Sequence, residues 1–471
     1  MDQASQPTVP PPAPCGPVPS PRQWAWHQMG VYGFVHFTVN TFTDREWGFG
    51  DESPALFDPS AFDAGALVGT ARAAGLRGLI LTCKHHDGFC LWPSRYTEHS
   101  VKHSPWRGGR GDVVRELSTA CAEQGLRFGV YLSPWDRNHA DYGRPAYLEY
   151  YRSQLRELLT EYGPIFEVWF DGARGGDGYY GGSREARQID PATYYDWQNT
   201  WAMVRELQPE AVMFSDIGPD VRWCGNERGL AGETNWCTLN TDAWCPGKAV
   251  PEQLNTGHED GAHWLPAEVD VSIRPGWFYH AAEDERVRSV ENLVDIYYHS
   301  IGRGANLLLN LPPDRRGRIH EIDAERLDGL RRALTATFSK DLARGATLSA
   351  DQVRGNDPAY AAAHLVGGDD QACWACDDGV TAAAVTLELP QARRIDQVLL
   401  QEAVPLGQRV RSWSLEAEAG GVWSTLCMGT TIGVRRLQRF PAVTAQRLRL
   451  RILDAKAGPV LSRLGLFLSG G

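Results

Sequence analysis

The sequence predicts an α/β chain in which a (β/α)8-like TIM barrel is followed by a C-terminal β-sandwich. Up to residue 338, short apolar strands alternate with segments of helical periodicity, an order typical of parallel strands joined by helical crossovers. From Leu348 onward that periodicity disappears, and short strands separated by glycine, proline and aspartate turns replace it. We therefore divide the 471 residues into a proline-rich, disordered lead-in (1–21), a barrel (22–345) and a sandwich (346–471).

The predicted barrel strands are apolar runs that end in polar residues. They cover 31–38, 79–82, 127–132, 165–170, 212–215, 269–273 and 306–311. The predicted helices cover 63–74, 112–124, 146–161, 191–207, 287–301 and 322–338, and the predicted sandwich strands cover 385–389, 397–401, 410–415, 422–426, 447–452 and 462–468. Residues 216–267 lack a clear helix or strand, so the sixth and seventh barrel units are poorly defined and an irregular barrel is allowed.

Polar side chains follow the predicted strands, and a barrel brings the carboxyl ends of all its strands to one face. These residues are His36, His85, His86, Trp135, Asp171 and Asp216. Asp171 is the clearest case, because it ends the buried run 166–170 and precedes a glycine-rich loop, 172–182. Taken alone, Asp171 is equally compatible with capping a turn through an Asx hydrogen bond. The position that these residues share favours a single pocket.

A pair of carboxylates that face one sugar-sized gap is the machinery of a glycosidase. Asp171 is the first, and the second must be partly desolvated so that its proton survives at neutral pH. Glu227 is the best candidate because Trp223 offers an apolar wall beside it, although Arg228 or Arg222 nearby would oppose a rise in its pKa. Glu233 is the alternative.

Tryptophan is abundant, with 17 residues, many of them in polar loops. Exposed indole faces suit the C–H faces of sugar rings, and the alternative is that these residues belong to the core or to interfaces. The segment 216–264 carries Trp223, Trp236, Trp244 and Trp264. We expect this segment to lie beside the pocket and to offer stacking surfaces to sugars beyond the first.

Other function classes find little support. His85 and His86 have no third ligand at metal-binding spacing, so no metal and no cofactor are predicted, and both histidines serve as neutral hydrogen-bonding partners of sugar hydroxyls. Neither a phosphate-binding glycine motif nor a G-x-S-x-G motif occurs. The net charge of −11 and the lack of a basic run argue against nucleic acid, and the lack of an 18-residue apolar run argues against a membrane span. No signal peptide is visible, which leaves the compartment open between the cytoplasm and a mature secreted or periplasmic form.

Several separated blocks point to a known family. They are 36–37 with 40–42, 45–48, 84–89, 131–136, 169–172, 274–279 and 306–310. In this order they resemble the α-L-fucosidases of glycoside hydrolase family 29, over residues 17–343. The blocks 218–223 and 225–227 are similar to the subfamily that favours α-1,3- and α-1,4-linked fucose, and the tail is similar to carbohydrate-binding modules of the discoidin type.

The resemblance implies a retaining mechanism with Asp171 as the nucleophile and Glu227 as the acid/base. The full predicted substrate-binding set is His36, Glu46, Trp47, His85, His86, Tyr131, Trp135, Arg222, Trp223 and Trp277. We therefore predict a soluble α-L-fucosidase whose partner is a fucosylated, Lewis-type oligosaccharide or glycoconjugate. Two alternatives remain: a sugar-binding protein without activity, and a retaining glycosidase of the same architecture that prefers another sugar, such as galactose.

Overall fold

The computed structural model describes residues 9–242, 244–368 and 372–470. Eight parallel strands close into a barrel, in which each strand pairs with its neighbours in the chain and the first pairs with the last. They are β1 (Val31–Val35), β2 (Gly78–Lys84), β3 (Arg127–Leu132), β4 (Ile165–Trp169), β5 (Val212–Ser215), β6 (Val221–Trp223), β7 (Ala267–Ser272) and β8 (Asn306–Asn310). The predicted barrel is therefore confirmed.

Helices of the barrel region surround these strands. They are α1 (Pro21–His27), α2 (Val39–Thr43), α3 (Ala64–Ala73), α4 (Val113–Gln124), α5 (Ala146–Glu161), α6 (Trp197–Leu207), α7 (Pro251–Thr256), α8 (Val290–His299) and α9 (Glu321–Phe338). Local chemistry fixes several boundaries: the Asp112 side chain caps the start of α4 by accepting from the Arg115 N–H, and Gly125 ends α4 with a positive φ of 74°. None of the helices in the described part of the chain combines the length and the apolarity that a membrane span needs.

The barrel is irregular between β5 and β6. Only residues 216–220 separate these two parallel strands, and no helix lies among them, whereas parallel neighbours usually need a connection of a dozen residues or more. The pairs Phe214–Val221 and Ser215–Arg222 show that the chain turns back directly beside the strand it has just left. Two small antiparallel hairpins, Gly175–Gly178 with Glu185–Gln188 and Thr238–Leu239 with His263–Trp264, also interrupt the simple alternation.

The C-terminal region is one antiparallel sheet, called the sheet domain below. Its strands are β9 (Thr347–Ala350), β10 (Trp374–Ala375), β11 (Ala383–Glu402), β12 (Val410–Ala419), β13 (Val422–Gly429), β14 (Arg436–Ala455) and β15 (Val460–Phe467). The strands predicted at 385–389 and 397–401 are parts of the single strand β11, whose pairing with β14 shifts register between Glu388 and Arg393. Buried apolar side chains such as Trp374, Trp413 and Leu450 fill the core of this domain.

The proline-rich start differs from the predicted disordered lead-in wherever the structure describes it. Residues 1–8 lie outside the described residues. Beyond them, Arg354 and Arg409 donate hydrogen bonds to the carbonyl oxygens of Pro10 and Ala13, and the Cys15 N–H donates to Leu406 at 3.0 Å. This segment therefore lies along the sheet domain, because its unpaired carbonyl groups accept hydrogen bonds from that domain's arginines.

Candidate active site

A cavity of about 580 Å³ opens where the barrel strands end at their carboxyl side. Its lining residues are Phe34, His36, Glu46, Trp47, His85, His86, Tyr131, Trp135, Trp169, Asp171, Gly172, Ala173, Arg174, Gly175, Glu227, Asp270 and Trp277. Most of the residues predicted from strand ends thus meet in one place. The cavity mixes aromatic rings with carboxyl and imidazole groups, a composition suited to a small polar ligand that has apolar faces.

Asp171 lies two residues beyond the end of β4, with its carboxylate facing the cavity. The Tyr131 hydroxyl donates a hydrogen bond of 3.0 Å to Oδ2, and the Ala173 N–H donates one of 2.8 Å to Oδ1. His86 Nε2 is 3.9 Å from Oδ2. The bond to Ala173 is the turn contact that we considered as the alternative role for Asp171, so the same side chain both shapes the turn and lines the pocket. These contacts hold the carboxylate in one orientation.

His36 and His86 are neutral groups with defined tautomers. Burial lowers the pKa of His36 to about 3, against the effect of its hydrogen bond with Asn310, and burial also lowers the pKa of His86 despite the nearby charge of Asp171. The Asn310 amide nitrogen donates elsewhere, so its oxygen accepts from His36 Nδ1 at 2.8 Å. The Ser133 hydroxyl donates to a backbone carbonyl, so its oxygen accepts from His86 Nδ1 at 2.7 Å. Each histidine therefore keeps an unprotonated Nε2, which can accept a hydrogen bond from a sugar hydroxyl.

His85 lies between these two histidines and is also neutral at ordinary pH. Burial lowers its pKa well below the usual value, and the neighbouring His86 and His36 add to the shift. Its ring stacks on Tyr131, with centroids 5.8 Å apart and an angle of 14°. Its buried Nδ1 has no hydrogen-bond partner among the described residues.

Glu227 approaches the cavity from the loop that follows β6. The Trp277 indole N–H donates to Oε2 at 3.3 Å. Glu227 is an exposed residue, but the protein around its carboxyl group removes part of the solvent there. This partial loss of solvent raises the pKa of Glu227, the Trp277 hydrogen bond opposes the rise, and the charges of Asp171 and Glu46 add to it. The alternative Glu233 does not line the cavity, because its carboxylate forms ion pairs with Arg303 and Arg436.

Glu46 and Trp47 also line the cavity. The Glu46 carboxylate accepts from the backbone N–H groups of Trp277 and Phe278 at 2.8 and 3.1 Å, and it also contacts His280. Glu46 thus fixes the turn that presents the Trp277 ring. Trp47 is 58% exposed, and its ring lies edge-on to His86 and Trp135. An indole so exposed at the mouth of a pocket is available to stack against a ligand.

Two residues of the predicted substrate-binding set do not line the cavity. Arg222 is fully buried, and its guanidinium donates to the carbonyl oxygens of Leu254 and Trp236 and to the Asn235 side chain. Its prediction as a substrate-binding residue is wrong, because every contact serves the loop scaffold. Trp223 is half-buried and donates at 2.8 Å to Asp270, which lines the cavity.

The tryptophans of 216–264 are also not the stacking surfaces that we expected. Trp236 and Trp264 are buried, and Trp244 packs on a small apolar cluster behind the pocket. None of them is among the residues that line the described cavity. Asp216, which follows β5, turns away as well and accepts from the Gly247 N–H at 2.9 Å.

Asp270 is a cavity residue that the sequence analysis missed. It lies in β7, where alternation turns its side chain into the barrel, and it is only 3% exposed. Burial raises the pKa of Asp270 well above the usual value, and the charges of Glu227 and Glu268 add to the rise. A charged residue inside the apolar run Val269–Val271 is the signal that could have revealed it.

Comparison with known proteins gives the family of the chain. The family model described as alpha-L-fucosidase matches residues 15–336. Alpha-L-fucosidase 1 of Arabidopsis thaliana is 42% identical over 465 residues, which cover 98% of this chain and 89% of that protein. The chain belongs to the α-L-fucosidase family, glycoside hydrolase family 29. It is therefore a glycoside hydrolase, as the sequence blocks indicated.

Solved structures of this α-L-fucosidase family share the architecture. A family 29 member from an unknown rumen bacterium superposes with a TM-score of 0.87 at 45% identity, covering 97% of this chain and 78% of that one. A Ruminococcus gnavus family 29 fucosidase in complex with fucose gives a TM-score of 0.88 at 32% identity, covering 98% and 97%. The similarity spans both the barrel and the sheet domain.

A metal has no evident place in this fucosidase. Across residues 9–242, 244–368 and 372–470, no group of three or more histidine, cysteine, aspartate or glutamate side chains is arranged to hold an ion. The prediction that the protein uses no metal and no cofactor stays a prediction.

Proposed function

We propose that the protein is a retaining α-L-fucosidase that uses Asp171 and Glu227 to release α-1,3- and α-1,4-linked fucose from branched, Lewis-type oligosaccharides or glycoconjugates. The observation that carries the mechanism is that these two carboxyl groups line one cavity and have different surroundings. Asp171 is fixed by Tyr131 and Ala173, whereas desolvation helps Glu227 to keep a proton. Different environments for two carboxyl groups are what a nucleophile and a general acid require.

In the first step, a carboxylate oxygen of Asp171 attacks the anomeric carbon of fucose while the glycosidic C–O bond breaks. Glu227 gives its proton to the departing oxygen, and fucose becomes an ester of Asp171. Loss of the negative charge on Asp171 removes one of the causes that raise the pKa of Glu227. The deprotonated Glu227 is then a suitable base for the second step.

In the second step, water attacks the same carbon, Glu227 takes the proton of that water, and the ester bond to Asp171 breaks. Two inversions give net retention, so fucose leaves with the α configuration. The neutral His36 and His86 each offer an unprotonated ring nitrogen to fucose hydroxyls, and Tyr131 keeps its proton because burial raises its pKa well above the usual value. Tyr131 can therefore orient the Asp171 carboxylate.

The linkage preference rests on different support. The blocks 218–223 and 225–227 are similar to those of the subfamily that cleaves α-1,3 and α-1,4 linkages. The exposed Trp47 and Arg174 line the outer part of the cavity, where a sugar beyond fucose would lie. Contacts with that sugar can stabilise the transition state, so a substrate that lacks it would lose rate as well as affinity.

One comparison tests the proposal. We expect kcat/KM for a Lewis-type trisaccharide to exceed the value for an α-1,2-fucosylated galactoside by at least about tenfold, as a difference of about 1.4 kcal/mol in transition-state binding would give. Equal constants, or a preference for the α-1,2 linkage, would contradict the linkage proposal.

NMR of the first-formed fucose tests the mechanism separately, because initial release of the β anomer would contradict retention. An Asp171→Asn preparation controls for contaminating activity.

A further inference from the structure

The sheet domain forms hydrogen bonds with the segment 233–237, which lies just beyond the loop that carries Glu227. Thr431, from that domain, accepts a hydrogen bond of 2.9 Å from the Asn235 N–H. Gln408 accepts from the Cys237 N–H at 2.8 Å and donates to the Asn235 carbonyl oxygen at 2.9 Å. Both of these sheet-domain side chains are buried. The backbone polar groups of Asn235 and Cys237 are thus satisfied by side chains of the sheet domain.

Arg436 of the sheet domain adds a charged contact with Glu233. Arg436 is buried, donates to the Glu233 carbonyl oxygen at 2.8 Å and forms an ion pair with its carboxylate. Thr430 donates to the same carbonyl oxygen at 2.9 Å. The second carboxylate oxygen of Glu233 is 2.9 Å from Arg303 of the barrel. The two domains therefore hold residues 233–237 from both sides.

The segment 233–237 is hydrogen-bonded to the base of the loop that carries Glu227. Arg222, the middle residue of β6, donates to the Asn235 side chain at 2.9 Å and to the Trp236 carbonyl oxygen at 3.0 Å. Asn235 also donates to the Arg303 carbonyl oxygen, and Arg303 donates to Ala231 at 2.6 Å. These contacts account for the burial of Arg222.

The loop itself is closed into a ring. Asn255 donates to the carbonyl oxygens of Cys224 and Leu230, both at 2.9 Å, and Asn226 donates to Leu230 at 2.8 Å. Gly225 has a positive φ of 81°, and a Cβ there would lie 2.1 Å from the Pro251 carbonyl oxygen. Both ends of residues 224–230 are therefore fixed, with Glu227 in the middle.

Glu227 has little support of its own. The only side-chain hydrogen bond found for its carboxyl group among the described residues is the 3.3 Å contact with Trp277, and the residue is exposed. Its position is set by the backbone of the loop. That loop is held by Asn255 and, through Arg222 and Arg303, is linked to the segment 233–237 that the sheet domain contacts. A misplacement of about 1 Å in a catalytic group can lower the rate by up to about a hundredfold.

We propose that the sheet domain positions Glu227 through Thr431, Gln408 and Arg436, and that it is in this respect part of the active-site scaffold. This proposal rests on the role of Glu227 given above. Thr431, Gln408 and Arg436 are positioning residues, because none of them lines the cavity. The expectation that follows is a selective loss of acid catalysis when their contacts are removed.

The test uses the full-length protein with Thr431→Val and Gln408→Met combined, which removes the hydrogen bonds to Asn235 and Cys237 at nearly constant volume. The single substitution Thr431→Ser is the conservative variant, because serine keeps the hydroxyl that accepts from the Asn235 N–H. Arg439→Ala is the matched control. It removes another contact between the two domains, the 2.7 Å ion pair with Asp295, without touching residues 222–237.

Two measurements are needed. Hydrogen exchange of the amides in 224–237 reports on how readily the loop and the segment 233–237 open, independently of the role of Glu227. The ratio of kcat/KM for an alkyl fucoside to that for 2,4-dinitrophenyl fucoside reports on acid catalysis, because only the alkoxide leaving group needs a proton. We expect faster exchange and a ratio lowered about tenfold in the double variant, with near wild-type values for Thr431→Ser and Arg439→Ala.

Each result decides. Unchanged exchange in the double variant would overturn the proposal. Faster exchange with equal losses on both substrates would overturn the link to Glu227, provided that Glu227→Ala itself shows the selective loss. If Glu227→Ala lacks that selectivity, the proposed function fails at its acid/base, and the exchange result alone decides whether the sheet domain holds the loop.

Discussion

The two sides of the pocket are built in different ways. On the Asp171 side, the side chains come from the ends of β1 to β4. Among them His36, His86 and Tyr131 are buried and hydrogen-bonded close to their strands. On the Glu227 side, the carboxyl group belongs to an exposed residue in the loop 224–230. The segment 233–237 that follows this loop is held by residues almost 200 positions away, as with Asn235 and Thr431. The first side is rigid through local geometry, and the second depends on the packing of two domains.

The largest expected effect concerns the Asp171 side. Asp171→Asn keeps the size of the side chain and an acceptor oxygen for the Ala173 N–H but removes the nucleophile, so kcat should fall by at least about four powers of ten. Steady-state kinetics and a thermal melt would check activity and fold together. Asp216→Asn is the matched control, because Asp216 follows the next strand but does not line the cavity. Near wild-type turnover of Asp171→Asn would contradict the assignment.

A smaller and more selective effect is expected on the Glu227 side. Glu227→Ala should lower kcat/KM for an alkyl or oligosaccharide fucoside by about 10²–10⁴-fold, the usual contribution of a general acid. For 2,4-dinitrophenyl fucoside the loss should be slight, because this leaving group departs without a proton. Added azide should raise kcat and give a fucosyl azide of retained configuration, since azide needs no general base. Equal losses on the two substrates would show that Glu227 is not the acid.

The pH dependence separates the two sides again. Glu227 must be protonated in the first step, and a raised pKa keeps it protonated to higher pH than an ordinary glutamate. The basic limb of kcat/KM should therefore follow Glu227, with the rate falling as pH rises through its pKa. The buried histidines have lowered pKa values and stay neutral, so they should add no limb near neutral pH. In Glu227→Gln the basic limb should disappear, and its persistence at an unchanged position would assign it to another group.

The same difference explains what the sequence could predict. His36, His85, His86 and Asp171 were predicted because a barrel places every strand end on one face, whatever the loops do. Tyr131 was predicted from the family resemblance. The strands themselves were visible as apolar runs, and the change of periodicity near Leu348 marked the start of the sheet domain at β9.

The Glu227 side was harder to predict because its geometry is set by contacts that are distant in the sequence. Arg222 and the tryptophans of 216–264 have the composition of a sugar-binding surface, yet they fill the scaffold behind it. Asp270 was not predicted because it lies inside β7 and not at a strand end, where the candidate residues were sought. Residue type alone does not tell whether a polar or aromatic group faces the ligand or the neighbouring domain.

The smallest expected effect lies beneath the pocket, where the two sides are joined. Glu167 of β4 and Glu268 of β7 are fully buried, and Glu268 accepts hydrogen bonds from Trp169 and Tyr32. Burial raises the pKa of Glu167 well above the usual value, and the charge of Glu268 adds to the rise. A carboxyl group whose pKa is raised by folding favours the folded state at low pH, and this stabilisation is lost as pH rises from the unfolded pKa towards the folded one.

Glutamine at position 167 has no proton to lose, so Glu167→Gln should remove that loss. We expect its Tm relative to wild type to rise between pH 5 and pH 8 by about 2–4 °C per kcal/mol regained, with little change in kcat. Melting curves at both pH values check this, with the exposed Glu210→Gln as the control. A Tm difference that is the same at pH 5 and pH 8 would mean that Glu167 ionises as readily in the folded barrel as in the unfolded chain.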